Sequence, residues 1–224
     1  MAVTQKLIVP PLEGGDRLSR DEFERRYAAS PHIKKAELIE GVVYMAAAVR
    51  FKSHGQPHSK IITWLGVYEA ATSGVALSDN TTVRLDENNE PQPDAFLRIE
   101  TGGNSRVTDD DYIEGAPELV VEIAASSASY DLYDKKQAYQ RNAVQEYLVW
   151  QVFEQKLDWF SLQNGDYILL QPDENGVIKS QVFPGLWLAV NELLSGNMAT
   201  VLTVLQEGLN SPEYAEFLII ANRV

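Results

Sequence analysis

The chain has 224 residues, 45% of them hydrophobic, which is enough to bury the core of one globular domain or of a domain with an appendage. It contains no cysteine, which excludes disulfides and thiolate metal sites and leaves a hard cation bound by oxygen as the natural metal candidate. A formal net charge of −13 argues against general affinity for nucleic acid, because Lys and Arg supply most non-specific binding.

The charge is unevenly distributed along the chain. Residues 1–60 carry 10 basic and 7 acidic side chains, a net of 10 − 7 = +3, so the remaining 164 residues carry −13 − 3 = −16. If the chain binds a polyanion, its N-terminal part is therefore the better candidate surface. An ordinary solvated acidic surface is the alternative interpretation.

The first third of the chain is predicted to form a helix, a hairpin and a second helix. Ser19 and Glu22 have capping-box spacing, which predicts a short helix through about Ala29. The apolar, β-branched segments on either side of Gly41 predict a β-hairpin at 36–47. Pro57 is a typical first helical residue, and the apolar spacing that follows it predicts a helix over 57–72.

The middle of the chain alternates strands and helix. We predict strands at 75–85, 94–99 and 118–124, a helix from Asp131 to about Asn142, and a strand in EYLVWQV at 146–152. The polar, acidic segment TGGNSRVTDDDYIEGAP between the second and third strands is predicted to be a long loop, and such loops are usually functional or mobile.

The C-terminal third is predicted to extend the sheet and then become helical. Strands are expected at 155–162 and 166–171, and PGLWLAV with the segments after it suggests a small helical appendage at about 190–224. We therefore expect one domain over residues 1–224, with a core at about 57–152.

Two carboxylates stand beside or inside apolar strands. Glu122 lies within a run that otherwise reads as a buried strand, where an ionised carboxylate loses several kcal/mol of solvation unless a cation compensates it. Asp94 opens another apolar strand, and the two could converge on one cation if those strands pair. Lys135 and Lys136 follow on the next predicted helix, and periodicity does not choose between them. Together these residues suggest a metal-dependent phosphodiesterase site with Mg²⁺ or Mn²⁺.

Several short motifs occur in an order that resembles a known superfamily. They are AELIEG at 36–41, Pro93-Asp94, PELVVEI at 117–123, Asp131, Lys135 with Tyr139, VQEYLVW at 144–150 and PGLWL at 184–188. In this respect the chain resembles the PD-(D/E)XK nucleases and, more narrowly, the Uma-type restriction endonucleases of bacteria. The resemblance implies an α/β, restriction-endonuclease-like fold, in which an α-β-β-β-α-β core forms a central mixed sheet flanked by helices.

The resemblance also implies roles for individual residues, with two departures. The superfamily's usual lysine stands two positions after the second carboxylate, where this chain has Ala124; Uma-type proteins have a lysine on the following helix, and the aligned position is Lys135, 135 − 122 = 13 residues after Glu122. The family also points to Glu37 and, less directly, to His58 as members of the pocket. The sequence E-I-A-A-S-S from Glu122 replaces the family's usual E-V-L-S-P-S, which puts activity more than fold in question.

These features predict magnesium-dependent hydrolysis of DNA phosphodiester bonds. Asp94 and Glu122 would ligate the metal, Lys135 would position the attacking water, and Glu37 would complete the pocket. A homodimer is expected by analogy, because two sites related by a two-fold axis cut both strands of a duplex most simply. The alternatives are a nuclease-like binding or regulatory module without turnover, and a purely structural interaction protein.

Each residue also has a simpler interpretation. Glu122 could form a structural ion pair, Asp94 could end a turn, Lys135 could lie on a solvated helix face, and Glu37 could be an exposed hairpin carboxylate.

The histidines and tryptophans of the chain have ordinary explanations as well. His54 and His58 have i, i+4 spacing, but no third ligand is evident nearby, so zinc is disfavoured. The tryptophans stand in apolar or amphipathic segments and are predicted to be core residues rather than stacking platforms.

The sequence shows no sign of membrane association. No window approaches the roughly 20 apolar residues that cross a bilayer, and MAVTQKLIVPPLEGG lacks an apolar signal region. We therefore expect a cytoplasmic protein without membrane contact.

Overall fold

A computed structural model describes residues 9–45, 48–125 and 131–221. Its helices are α1 (Arg20–Ala28), α2 (Gln56–Ala71), α3 (Lys136–Arg141), α4 (Val190–Ser195), α5 (Met198–Leu209) and α6 (Pro212–Ala221). Single π-helical turns, Phe51–Gly55 and Asp131–Lys135, lead directly into α2 and α3. None of the helices in this part of the chain is long and apolar enough to cross a membrane.

The strands belong to one large mixed sheet and three small ones. They are β1 (Ala36–Ile39), β2 (Val42–Met45), β3 (Val75–Ser78), β4 (Val83–Arg84), β5 (Ala95–Ile99), β6 (Ser105–Val107), β7 (Ile113–Gly115), β8 (Leu119–Ala124), β9 (Glu146–Gln151), β10 (Lys156–Gln163), β11 (Asp166–Leu169), β12 (Val177–Lys179) and β13 (Trp187–Ala189). The central sheet has the order β11-β10-β9-β8-β5-β3. Strands β8 and β9 run parallel, and the other neighbours in this sheet are antiparallel.

The two parallel strands, β8 and β9, lie at the centre of the sheet, where both of their faces are covered. All residues of β8 and of β9 are buried, which explains their nearly continuous apolar sequences. The parallel pairing requires a crossover, and the chain makes it through the second π-helical turn and α3. This crossover delivers Lys135 to the sheet.

Alternation along β8 divides the core into two clusters. Leu119, Val121 and Ile123 pack on one face with α2 and with residues of the C-terminal helices such as Val201. Val120 and Ala124 pack on the opposite face with Tyr139 of α3. Glu122 has the same parity as Val120 and Ala124, so its side chain projects toward α3.

The aromatic side chains mostly fill these clusters, as predicted. Trp64, Trp150 and Trp159 are buried, and Trp64 packs edge-on against Trp159 with ring centroids 5.7 Å apart. Trp187 is partly buried, and the Lys179 ammonium lies over its ring. These tryptophans are therefore packing residues.

The N-terminal hairpin packs on α1 and is joined to the segment that precedes β5. The predicted hairpin is confirmed as β1 and β2, and residues 46 and 47 lie outside the described part of the chain. Leu38 exchanges backbone hydrogen bonds of 3.2 and 2.7 Å with Glu90. The predicted capping box does not form: Ser19 makes no side-chain cap bond, and Glu22 instead pairs with the basic residues one turn later on α1.

Three predictions about irregular segments were wrong. The strand expected at 75–85 is divided into β3 and β4, which belong to different sheets. The segment expected to be a loop contains β6 and β7, which form a small sheet with β4. In PGLWLAV, expected to introduce the helical appendage, Trp187–Ala189 is a strand paired with β12. Apart from β3, which has four residues, these strands are only two or three residues long, so their pairing partners determine them more than their own side-chain patterns do.

Candidate active site

The register of β5 and β8 places the two predicted carboxylates opposite each other. Ala95 pairs with Val121 in antiparallel register, so Asp94, one residue earlier, faces Glu122, one residue later. The backbone N–H of Ile123 donates a hydrogen bond of 2.7 Å to Asp94 Oδ2. Both carboxylates are buried, Asp94 at 5% and Glu122 at 3% residual exposure.

Lys135 carries the positive charge that the buried carboxylates require. Its Nζ lies 2.9 Å from Glu122 Oε1 and 2.9 Å from Glu37 Oε1, and the residue is 3% exposed. The adjacent Lys136 has a different environment, because its ammonium lies over the ring of Phe160 at 3.6 Å from the centroid. The geometry thus distinguishes two lysines that helical periodicity could not.

Tyr139, one turn further along the crossover, fixes the orientation of Glu122. Its hydroxyl donates a hydrogen bond of 2.7 Å to Glu122 Oε1, the oxygen that also contacts Lys135. Burial raises the pKa of the Tyr139 phenol well above its usual value, and the neighbouring negative charge of Glu122 raises it further. Tyr139 therefore stays protonated and acts as a permanent donor.

Glu37 joins the hairpin to the sheet. Its Oε1 accepts a hydrogen bond of 2.7 Å from the backbone N–H of Gln92 as well as contacting Lys135. The Glu37 side chain is 12% exposed, whereas the Glu122 side chain is 4% exposed. Glu37 thus stands at the outer side of the charged cluster.

The two histidines hold Asp94 rather than forming a separate metal site. His54 Nε2 lies 3.0 Å from Asp94 Oδ1, whereas His58 Nε2 lies 2.8 Å from the backbone carbonyl oxygen of Asp94. Burial alone would raise the pKa of Asp94. The hydrogen bond and charge of His54, the charge of Lys135 and the Ile123 N–H outweigh burial and lower that pKa below its ordinary value. Asp94 is therefore ionised at neutral pH.

Two of these contacts were absent from the sequence analysis. His54 was considered only as a zinc ligand with His58, although its partner is a carboxylate 40 residues away. Tyr139 was noted only as a motif residue of a helix face, since an aromatic residue at helical spacing ordinarily indicates core packing. The side chain of Asp131, the predicted start of the next helix, lies outside the described residues, as do residues 126–130, which include the last two positions of the altered E-I-A-A-S-S segment.

The donor set fits a hard divalent cation. Two carboxylates, Glu122 and Glu37, contact the Lys135 ammonium, and a third, Asp94, faces Glu122 across the sheet. These three carboxylates exceed the single ammonium in formal charge, and a cation would offset that excess. Mg²⁺ typically takes one or two protein carboxylates and completes its shell with water and substrate phosphate. No group of three or more His, Asp or Glu residues arranged to hold a metal is present in residues 9–45, 48–125 and 131–221.

The sequence profile of a known family covers this whole arrangement. The profile of Uma2, described as "Putative restriction endonuclease", matches residues 20–191, which include every residue of the charged cluster. The chain belongs to the Uma2 family. No curated protein sequence matches this Uma2 chain significantly.

A solved structure confirms the fold of this Uma2 member. This chain is similar to the crystal structure of a protein from Anabaena variabilis ATCC 29413 that is described as a putative nuclease belonging to DUF820. The TM-score is 0.59 and the sequence identity is 14%. The alignment covers 80% of this chain and 98% of that one. At this level of identity the likeness shows the nuclease-type α/β fold, and the predicted fold class is confirmed.

Proposed function

We propose that this protein is a divalent-metal-dependent endonuclease that hydrolyses phosphodiester bonds of DNA. The observation that carries the proposal is the buried cluster in which Asp94 and Glu122 face each other across β5 and β8 while Lys135 contacts Glu122. Carboxylates of this kind bind a hard cation, and an ammonium beside them suits the developing negative charge of a phosphate. Membership of a family described as "Putative restriction endonuclease" supports the same chemistry.

Each residue of the cluster has a distinct part in the proposed reaction. Asp94 and Glu122 would hold Mg²⁺ or Mn²⁺, which when bound activates water and neutralises charge on the phosphate. Lys135 would orient the attacking water and offset negative charge, a role suited to a compact ammonium. Tyr139 keeps Glu122 in position, and Glu37 holds Lys135 from the side of the hairpin.

Plasmid nicking tests the proposal. Supercoiled DNA is incubated with Mg²⁺ or Mn²⁺ and with wild type, Asp94→Asn or Glu122→Gln, and we expect only wild type to nick it. Glu118→Gln is the matched control, because Glu118 is a buried carboxylate of the segment leading into β8 whose oxygens accept hydrogen bonds from the backbone of Ile99 and Asn104. Thermal unfolding of all variants shows whether each one is folded. Equal nicking by wild type and by folded site variants would refute the assignment.

One observation favours a second candidate, a nuclease-like module that binds without turnover. Both oxygens of Asp94 already accept hydrogen bonds from the protein, one from Ile123 and one from His54. A carboxylate whose two oxygens already accept hydrogen bonds does not need a metal ion to compensate for its burial. Calorimetric titration separates the two functions: metal binding that depends on Asp94, without cleavage of any nucleic acid, would support the module.

We also propose a homodimer, as expected from the way in which paired sites cut a duplex. Light scattering measured across a concentration series tests it. A monomer would contradict the homodimer and would fit a nuclease that cuts one strand at a time.

A further inference from the structure

We infer that Phe51 and Tyr133, together with Arg50 and Lys52, form a rim beside the proposed cleavage site. This rim binds nucleic acid whose bases are unpaired next to the scissile phosphate. This inference rests on the proposed nuclease function, because it specifies which nucleic acid the site accepts. Phe51 and Tyr133 form the aromatic rim.

The aromatic rim is unusually exposed for its residue types. Phe51 is 71% and Tyr133 is 65% exposed, whereas most large aromatic residues of the central sheet are buried. An aromatic ring that is mostly exposed forgoes the stabilisation that burial would provide. Isolated exposed apolar residues are common in proteins, so their position decides whether these two are informative.

Both rim residues stand on the short elements that complete the charged cluster. Phe51 begins the π-helical turn that carries His54, which contacts Asp94 Oδ1. Tyr133 lies in the other π-helical turn, two residues before Lys135. Each rim residue is thus within about one helical turn of a side chain that touches a proposed metal ligand. The hydroxyl of Tyr44 donates to Asp134, which links the second turn to the hairpin.

The charge around Phe51 differs from that of the rest of the molecule. Residues 41–68 contain no Asp or Glu, although the chain has 32 acidic residues. Arg50 and Lys52, which flank Phe51, are exposed and form no ion pair with any residue that the structure describes. In a protein of net charge −13, these cations are available to a polyanion beside an otherwise acidic pocket.

This combination of groups matches the chemistry of a single strand. Aromatic side chains stack on the faces of unpaired bases, and neighbouring cations follow the phosphates. In an intact duplex the base faces are covered by their neighbours, so the aromatic rim would contribute little to binding it. The occupant that uses all four side chains is therefore a strand with unpaired bases.

Binding without metal tests the inference independently of cleavage. Fluorescence anisotropy in EDTA compares three probes: a dye-labelled single strand, the same strand with abasic sites in place of its bases, and the matching duplex. We expect wild type to bind the single strand about tenfold more tightly than the abasic strand, and Phe51→Ala/Tyr133→Ala to lose that difference. Arg50→Gln/Lys52→Gln should weaken binding of all three probes and reduce its dependence on salt.

A chemically matched control is available elsewhere on the surface. Phe153 is 66% exposed on the turn between β9 and β10, which supplies none of the clustered side chains. Phe153→Ala should therefore leave the preference for the base-containing strand unchanged.

The possible failures are distinguishable. Equal affinity for the single and abasic strands, or an unchanged preference in Phe51→Ala/Tyr133→Ala, would overturn the inference while plasmid nicking could still support a nuclease. Base-dependent binding without any nicking would retain the rim and reject the proposed hydrolysis. A change of oligomeric state in the double variant with unaltered binding would assign the rim to contacts between copies and overturn the inference. Absence of binding to every probe would overturn the inference, and plasmid nicking with Mg²⁺ or Mn²⁺ would still test the proposed hydrolysis separately.

Discussion

At the residue scale, one buried ammonium partly offsets the negative charge of the cluster. Lys135 lies 2.9 Å from both Glu122 and Glu37, and neither Lys135 nor Glu122 is more than 3% exposed. Removing one partner of a buried ion pair leaves the other charge desolvated, which costs more than the pair contributes to stability. Replacing one charged residue of the cluster should therefore destabilise the protein more than replacing both members of an ion pair.

Lys135→Met should lower the free energy of unfolding by about 3–5 kcal/mol and abolish cleavage, because Glu122 and Glu37 lose their ammonium. Lys136→Met is the control, and it should cost about 1 kcal/mol or less, the value of an exposed cation–π contact. Urea unfolding measures both. Glu122→Gln combined with Lys135→Met should recover part of the stability. Equal losses for the two single lysine variants would contradict the assigned environments.

Tyr139→Phe should reduce metal affinity and cleavage by removing the hydroxyl that donates to Glu122. Its stability loss should be about 1–2 kcal/mol, the cost of an unmade buried hydrogen bond. Tyr68→Phe is matched in burial and loses a hydrogen bond to the carbonyl oxygen of Pro184. Calorimetry with Mn²⁺ and thermal unfolding should therefore show similar destabilisation in both variants and weakened metal binding only in Tyr139→Phe.

At the element scale, the central sheet was predictable and its supplements were not. The core order over 57–152 and the strands β8 to β11 follow from long apolar runs and clear turns. The π-helical turns have no distinct apolar period, and β4, β6 and β7 are too short to show alternation. The clustered residues Glu122 and Asp94 were recognisable as carboxylates beside apolar strands, whereas the contact of His54 depends on where the first π-helical turn places it.

The helical glycines Gly66 and Gly208 should respond oppositely to alanine. A Cβ at Gly208 in α5 would collide with the carbonyl oxygen of Gly185 and lie 2.8 Å from Trp187 Cγ, so Gly208→Ala should destabilise the protein by about 1–3 kcal/mol. A Cβ at Gly66 in α2 would meet only Leu77 at 3.7 Å, so Gly66→Ala should stabilise by about 1 kcal/mol through helix propensity. Thermal unfolding measures both. A stabilising Gly208→Ala would show that α5 packs differently from the structure.

At the scale of the whole molecule, two buried carboxyl groups should make stability fall at high pH. Burial raises the pKa of Glu146 to about 7, and burial with the neighbouring carboxyl of Glu24 raises that of Glu90 to about 8. Both groups bind protons more tightly in the native state than in the unfolded state. Their stabilising contribution is therefore complete below the unfolded pKa of about 4.3 and is lost as pH rises through their native values.

The free energy of unfolding should accordingly decrease from about pH 5 to about pH 8, by an amount on the order of 3 kcal/mol for each fully shifted group. On the acid side, a hydrogen bond from Asn142 and others from residues 88 and 89 outweigh burial and lower the pKa of Asp86, so its contribution is lost as pH falls below about 4. Urea unfolding at several pH values should show the maximum between these limits. Glu90→Gln/Glu146→Gln should flatten the alkaline decline, whereas the exposed Glu207→Gln should not. An unchanged slope in the double variant would reject these two groups as its source.

The crossover between β8 and β9 has a consequence for synthesis on the ribosome. Glu37, Asp94 and Glu122 are translated before Lys135, the last member of the cluster, and 135 − 37 = 98 positions separate the first from the last. A nascent fragment that ends before this lysine lacks the ammonium that contacts both Glu122 and Glu37. The charged cluster is therefore complete only after the crossover docks, so a translation product truncated before residue 135 would lack it.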